Sequence, residues 1–487
     1  MQFVSLLHHM DKGYCCGNNL GESSLFPARW AAVNGIARTP SVRWALIALS
    51  LSMLLSSLGT SIANVGLPTL ESAFGASFQD VQWIVLAYLL AVTTLSVGAG
   101  KLGDMVGRRR LLLAGLALFT AASAVCAVAP NLSVLIVARA VQGSGAATMM
   151  ALTVALVGGS VAKDKTGRAM GLLGTMSAIG TALGPSLGGI LIAISGWQAL
   201  FLINVPIGLV TWFLAYRALP LDDAGKPDRD VFDVAGTAVL ALTLAAYALA
   251  MTLGRGEFGL LNWGLMGAAA IGLALFVLIE RRATAPLIRL VLLRDRALAA
   301  GLTTSVLVAA IMMATLIVGP FYLSRALGLD AAWVGLFMAV GPVVVALTGI
   351  PAGRIVDRLG VAAISMVGLV AVGTGCTLLA ALPTTSGVAG YTAAMVVLTA
   401  GYALFQTANN TGVMTDVSPA QRGLVSGLLT LSRNLGLVTG ASVMGAIFAA
   451  ASATDGSATG LRVTFAIGAV LSVVALVAAR IGRQRPA

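Results

Sequence analysis

The sequence predicts an all-α polytopic membrane protein of fourteen transmembrane helices: two related six-helix bundles with two further helices inserted between them. Three observations carry this reading. The 487 residues are 58% hydrophobic and only 10% charged, with a mean hydropathy of +0.95, whereas a soluble domain carries about 25% charged residues. The apolar residues gather in runs close to the ~20 residues that a bilayer-crossing helix needs. Finally, the segment Gly100-Lys101-Leu102-Gly103-Asp104-Met105-Val106-Gly107-Arg108-Arg109-Arg110 has the pattern G-x-x-x-D-x-x-G. It recurs 253 residues on as Gly353-Arg354-Ile355-Val356-Asp357-Arg358-Leu359-Gly360, again between two apolar runs.

Residues 1–43 are expected to form a cytoplasmic tail. No run within 1–40 is long enough to span, and residues 1–10 lack the basic start, apolar core and cleavage site of a signal peptide. The first span is 44–66. The second is 81–99. The charged hairpin 100–110 leads to the third, 111–129, and the fourth is 132–157. The fifth is 169–194 and the sixth 200–219, which completes an N-terminal bundle over 44–219. A linker, 220–233, carries Asp222, Asp223, Lys226, Asp228, Arg229 and Asp230. Spans seven (234–253) and eight (260–279) follow, then a basic segment with Arg281, Arg282, Arg289, Arg294 and Arg296, so that 220–297 is an insertion. The C-terminal bundle, 298–480, holds 298–323, 332–352, 361–382, 391–414, 424–450 and 463–479, before a short tail, 481–487.

The formal net charge of +12 invites a nucleic-acid reading, but the basic residues sit in short clusters on alternate loops. Only Arg139, Arg255, Arg325, Arg433 and Arg462 of the 30 Lys and Arg fall elsewhere. That is the positive-inside pattern. It places both termini in the cytoplasm and makes the lipid bilayer, not nucleic acid, the partner of this charge. A plasma membrane is the expected location. Cys15 and Cys16 are adjacent while Cys126 and Cys376 lie in separate apolar runs, and the only histidines, His8 and His9, are in the tail. No disulfide framework, metal site, Walker motif or zinc-protease motif emerges, so no metal, no cofactor and no enzymatic activity are expected.

A second repeat supports the duplication. Gly167, Gly171, Gly180 and Gly184 have counterparts at Gly423, Gly427, Gly436 and Gly440, each 256 residues on. Spans five and thirteen therefore correspond. Two similar bundles around a central site suit alternating access, which a channel or receptor would not require.

This combination resembles the major facilitator superfamily in its fourteen-span drug:proton antiporter branch, the EmrB/QacA type. The likeness covers nearly the whole chain after residue 40. Gly100–Arg110 matches the loop motif G-x-L-a-D-x-x-G-R-+-x. Leu135-Ile136-Val137-Ala138-Arg139-Ala140-Val141-Gln142-Gly143-Ser144-Gly145 matches the fourth-span motif l-x-x-x-R-x-x-q-G-x-g. Gly180-Thr181-Ala182-Leu183-Gly184-Pro185-Ser186-Leu187-Gly188-Gly189 matches the antiporter motif G-x-x-x-G-P-x-x-G-G, and Trp197 before Phe201-Leu202-Ile203-Asn204-Val205-Pro206 resembles the branch's sixth-span opening. The resemblance implies a major facilitator fold and a secondary active exporter of small amphipathic molecules, run by protons. It departs in the first span, where Leu58-Gly59-Thr60-Ser61-Ile62-Ala63-Asn64 puts glycine in the place of the branch's aspartate. No Asp or Glu lies deep in any span, so the proton-binding group is left unassigned.

The candidate residues follow. Asp104 is placed to hold an arginine or to cap the next helix. With Gly100, Gly107, Arg108, Arg109 and the repeated Asp357 it forms a candidate cytoplasmic gate, closing when the cavity faces outward; the plainer reading is a charged hairpin that only sets topology. Arg139 lies 8 residues into its span, ~12 Å deep, where an ionised side chain costs ~3 kcal/mol. Proton coupling is the role the resemblance implies, and snorkelling to an interface is the alternative. Gly180, Gly184, Pro185, Gly188 and Gly189 read as a packing and bending stripe that seals one conformation. Gln406, Asn409 and Asn410 share a helical face at i, i+3 and i+4 and line a cavity or bond between helices. Arg433 meets an anionic or strongly polar substrate, or bonds to backbone carbonyls. Asn64, Tyr88, Gln142 and Asn204 complete the cavity candidates. The intramembrane cations point to neutral or anionic compounds rather than lipophilic cations. A monomer is expected. Competing readings are a dedicated metabolite or antibiotic exporter, an uncoupled facilitator, a non-transporting sensor and an intramembrane enzyme.

Overall fold

A computed structural model describes residues 42–160, 166–220, 234–253, 259–282, 295–415 and 422–482. Among them fourteen helices are long and apolar enough to cross a membrane, and there is no strand. The tail up to residue 41, most of the acidic linker (221–233), the stretch 283–294 with Arg289 and Arg294, and residues 483–487 lie outside the described residues.

Helix starts are written in short acidic caps. Ser77 and Asp80 form a reciprocal capping box at the head of helix Phe78–Val106. Asp295 accepts from the amides of Ala297 and Leu298 to open Arg296–Phe321, and Asp330 accepts from Trp333 N at 3.0 Å to open Ala331–Met338. Each satisfies orphan amides and complements the helix dipole. Within the spans, hydroxyls donate back to carbonyls four residues earlier, as Ser52 does to Ala48 at 2.9 Å and Ser56 to Ser52 at 2.8 Å. Serine is thereby tolerable in a membrane helix. Large apolar side chains cover the periphery: Ile194, Leu242, Leu260 and Leu347 are among the exposed ones, on surface that a bilayer would cover.

The repeated hairpins adopt one geometry twice. Gly107 takes φ 107° and ψ 124° between helices Phe78–Val106 and Arg108–Ala127, and Gly360 takes φ 85° and ψ 149° between Val340–Leu359 and Val361–Ala380. Each amide bonds to the carbonyl four residues back (Gly103 and Val356), at 2.9 Å in both. A side chain strains this backbone, so glycine closes both motifs. The two hairpins mark one end of the molecule, here the Gly107 end. The opposite end carries Gly75, Gly196 and Gly328, all at positive φ.

Glycines also set the closest helix contacts. A Cβ on Gly180 would stand 2.5 Å from the Leu54 carbonyl oxygen, and one on Gly184 or Gly188 would strike Ser61 or Val65, so helix Thr166–Ser195 lies flush on helix Val42–Val65. The same arrangement recurs where Gly436 and Gly440 meet the carbonyl oxygens of Val306 and Ala310, each at 2.3 Å from the hypothetical Cβ. Span five thus packs on span one as span thirteen packs on span nine.

At the Gly75 end the first six spans meet the last six. The Phe78 ring lies 4.7 Å from Phe321 and 5.2 Å from Phe448. Glu71 pairs with Arg325, and the Gln82 amide donates to the Ala441 carbonyl. Gly189 and Gly335 interlock beside them. The inserted pair, Val234–Thr252 and Leu260–Arg282, sits to one side. Trp83 of span two donates to Thr252 Oγ1 at 3.1 Å, while Leu240 and Leu244 pack with Leu298, Leu302, Leu428 and Leu431.

Candidate functional site

A cavity of ≈ 360 Å³ opens between span five and spans nine, ten, twelve and thirteen, within the size range of small-molecule sites. Met312, Leu316, Met338, Met395, Tyr402 and Leu437 supply its apolar wall, and Ser177, Thr181, Thr315, Thr399, Gln406 and Thr407 its polar one. Arg433 is its single charged lining residue. Towards the Gly107 end, at Gly174 and Gly349, a Cβ would meet nothing within 4 Å, whereas Gly189 and Gly335 shut the other end.

Of the cavity candidates, Gln406 and Arg433 line this space. Arg433 is exposed within its helix, with Ser432 and Asn434 buried beside it. It is therefore not a buried cation bonded to carbonyls, because its arc of the helix turns to the cavity. Asn409 donates to the Gly301 carbonyl at 3.1 Å, tying span twelve to span nine, and Asn410 is exposed, 3.4 Å from the Gln406 amide.

Asn64, Tyr88, Gln142 and Asn204 are not in the cavity lining but fully buried in the first bundle, as is Arg139. Arg139 does not snorkel. Its Nε donates to the Ile84 carbonyl at 3.0 Å, and Nη1 donates to the Gly59 carbonyl at 3.1 Å and to Gln142 Oε1 at 2.6 Å. Its guanidinium lies 4.2 Å from the Tyr88 ring centre and 5.9 Å from that of Phe201. Gln142 passes the chain on to Ser123 at 2.7 Å. Carbonyl dipoles and a π face thus take the place of an acidic partner, although Nη2 bonds to nothing among the described residues. Asn64 and Asn204 donate to carbonyls of their own segments, Thr60, Ser61 and Leu200. Their depth was legible in the sequence, but the side they face was not.

At the Gly107 end Asp104 holds Arg108 of its own hairpin at 2.7 Å, and no side chain caps the following helix. Arg109 donates to the Tyr216 carbonyl at 2.7 Å and lies over that ring. Gly100 has open space around it, and Asp357 is exposed. In the glycine stripe Gly180, Gly184 and Gly188 face span one, while the Pro185 carbonyl and Gly189 face span ten, so one motif serves two interfaces. The methionines and threonines of the cavity carried no sequence signal, because such residues suit lipid-facing and core positions equally well.

Residues 49–441 match the family model described as Major Facilitator Superfamily. The chain is 31% identical to the riboflavin transporter RibZ of Clostridioides difficile over 83% of its length and 88% of that protein. It is likewise 31% identical to the multidrug resistance protein Stp of Mycobacterium tuberculosis, over 83% of this chain and 75% of that one. In fold it is similar to a crystal structure of a D-xylose-proton symporter, with TM-score 0.68 at 13% identity, covering 92% of this chain and all of the other.

Proposed function

Since the chain belongs to the major facilitator superfamily, we propose that it exports small amphipathic molecules across the plasma membrane by alternating access, driven by inward proton flow. The observation that carries this is the cavity shared between span five of the first bundle and four spans of the second, closed at the Gly75 end by the Phe78–Phe321–Phe448 cluster and the Glu71–Arg325 pair. With both termini cytoplasmic, the open Gly107 end faces the cytoplasm and the protein is poised to load. Asp104, paired within its own hairpin, then stands as an unfastened gate that reaches across when the cavity turns outward. Arg139 is the coupling residue, and the working unit is a monomer.

The test uses reconstituted vesicles holding the purified protein and a self-quenching amphipathic dye. An imposed pH gradient in the direction of antiport should accelerate dye movement several-fold over a gradient-free control, and equal rates in the two would overturn proton coupling. A dedicated metabolite exporter is the second reading, favoured by equal identity to a riboflavin transporter and to a multidrug protein. Competition of dye export by one compound class alone, across a panel of varied scaffolds, would decide for it.

A further inference from the structure

We infer that the cavity is a receptor for amphipathic anions that carry hydroxyl or amide donors, with Arg433 as the anion-binding group; this rests on the export reading above. Two observations carry it. The first is charge. Arg433 is exposed to the cavity, and among the described residues it has neither an ion-pair nor a hydrogen-bond partner. No acidic side chain lines the cavity. Nor does packing account for an arginine here: at the 256-residue offset its counterpart is Ser177, which lines the same cavity and bonds to Ser57 at 2.7 Å. The matched turns, each three residues before a packing glycine (Gly180 and Gly436), work with a small hydroxyl in one copy and a cation in the other. An unpaired guanidinium in a site of low polarity attracts a carboxylate, sulfonate or phenolate and repels a cation.

The second observation is the direction of the hydroxyls. Thr181 donates to the Ser177 carbonyl at 3.0 Å, Thr315 to Met312 at 2.7 Å, Thr399 to Met395 at 2.6 Å and Thr407 to Ala403 at 2.9 Å. All four lining threonines have given their protons to their own helices, so what they offer a ligand is lone pairs. The four threonines therefore accept from a ligand, while Arg433, the Gln406 amide and the Tyr402 hydroxyl are the groups that can donate. Met312, Met338 and Tyr402 supply adaptable apolar surface for the rest of the molecule. A hydroxylated aromatic acid meets all three demands.

The test is equilibrium binding to the purified full chain in detergent, by fluorescence anisotropy at pH 6, with three probes: 7-hydroxycoumarin-3-carboxylate, its 3-carboxamide, and the 7-methoxy carboxylate. The native protein should bind the hydroxy-carboxylate roughly tenfold or more tightly than the carboxamide, and the methoxy compound should be weaker by a smaller factor. R433Q should erase the carboxylate preference while lowering carboxamide affinity far less, which also shows that the cavity is intact, and R433K should keep most of the preference. Equal binding of carboxylate and carboxamide by the native protein, or an equal loss of both in R433Q, overturns the inference. Binding is blind to transport. Charge-selective binding without export would sink the export reading alone, and export with charge-blind binding would sink this inference alone.

Discussion

Arg139 shows how a membrane protein keeps a permanent charge in its interior. A buried guanidinium loses its hydration, an effective penalty of several kcal/mol even after relaxation. The first bundle offsets that with two carbonyls, a glutamine and the Tyr88 face. Gly59 contributes by its smallness: a Cβ there would press to 3.1 Å from the Phe119 ring and 3.2 Å from the Tyr88 hydroxyl. Arg139→Ala should insert and fold, since it removes a charge rather than stranding one, but its transport should fall about tenfold or more. Gradient-driven dye export, normalised to the monodisperse protein recovered, checks this, and unchanged transport would remove Arg139 from the coupling scheme. That this arginine lies deep in the bundle was readable from its position within an apolar run. Its partners were not, because Gly59, Ile84 and Gln142 come together only when spans one, two and four pack. The four neighbouring cavity candidates show the same limit, since a polar residue at mid-span depth looks alike whether it faces a cavity or a core.

At the scale of helices, the stripe at Gly180 and its copy at Gly436 set how closely two pairs of spans approach. Gly180→Ala and Gly436→Ala each drive a methyl to within 2.5 Å of a backbone carbonyl oxygen, which cannot rotate aside. Each should cost about 1–3 kcal/mol as overpacking, and the two should cost alike. Gly427→Ala is the matched control: nothing lies within 4 Å of its Cβ, and alanine favours a helix interior by roughly 0.5–1 kcal/mol. Thermal unfolding of the purified variants should lower the midpoint for the first two and leave it level or higher for the third. Both the stripe and its repeat were legible at a fixed offset. The π-helical turns at Tyr322–Ala326 and Gly440–Met444 were not, because an extra residue in a turn is an adjustment to neighbours and leaves no mark on hydropathy. The short helix Leu67–Phe74 escaped for another reason, being too brief to register as an apolar run.

For the whole molecule, the number of spans and the order of loops followed from hydropathy and basic clusters. The state in which the protein is captured did not, since one chain must satisfy more than one arrangement of its bundles. Two ion pairs bear on that balance. Asp104–Arg108 lies within a hairpin, and Glu71–Arg325 joins span-one and span-nine neighbourhoods at the closed end. Partly exposed pairs contribute about 0.2–1 kcal/mol, enough to move a conformational balance a few-fold. Glu71→Gln should therefore raise the outward-open population roughly two- to fivefold. The readout is the labelling rate, by an impermeant maleimide applied outside the cell, of a cysteine placed at Met338 in a cysteine-free background. An unchanged rate would mean that the aromatic cluster alone keeps that end shut.

The inserted pair has a consequence of its own. Span seven is moored on two shores, to span two of the first bundle by packing and the Trp83–Thr252 hydrogen bond and to the second bundle by a seam of leucines. A molecule whose bundles tilt against each other in every cycle cannot keep both moorings taut. One side must slide in each cycle, and the pair rides the moving seam like an outrigger, its far helix trailing through lipid.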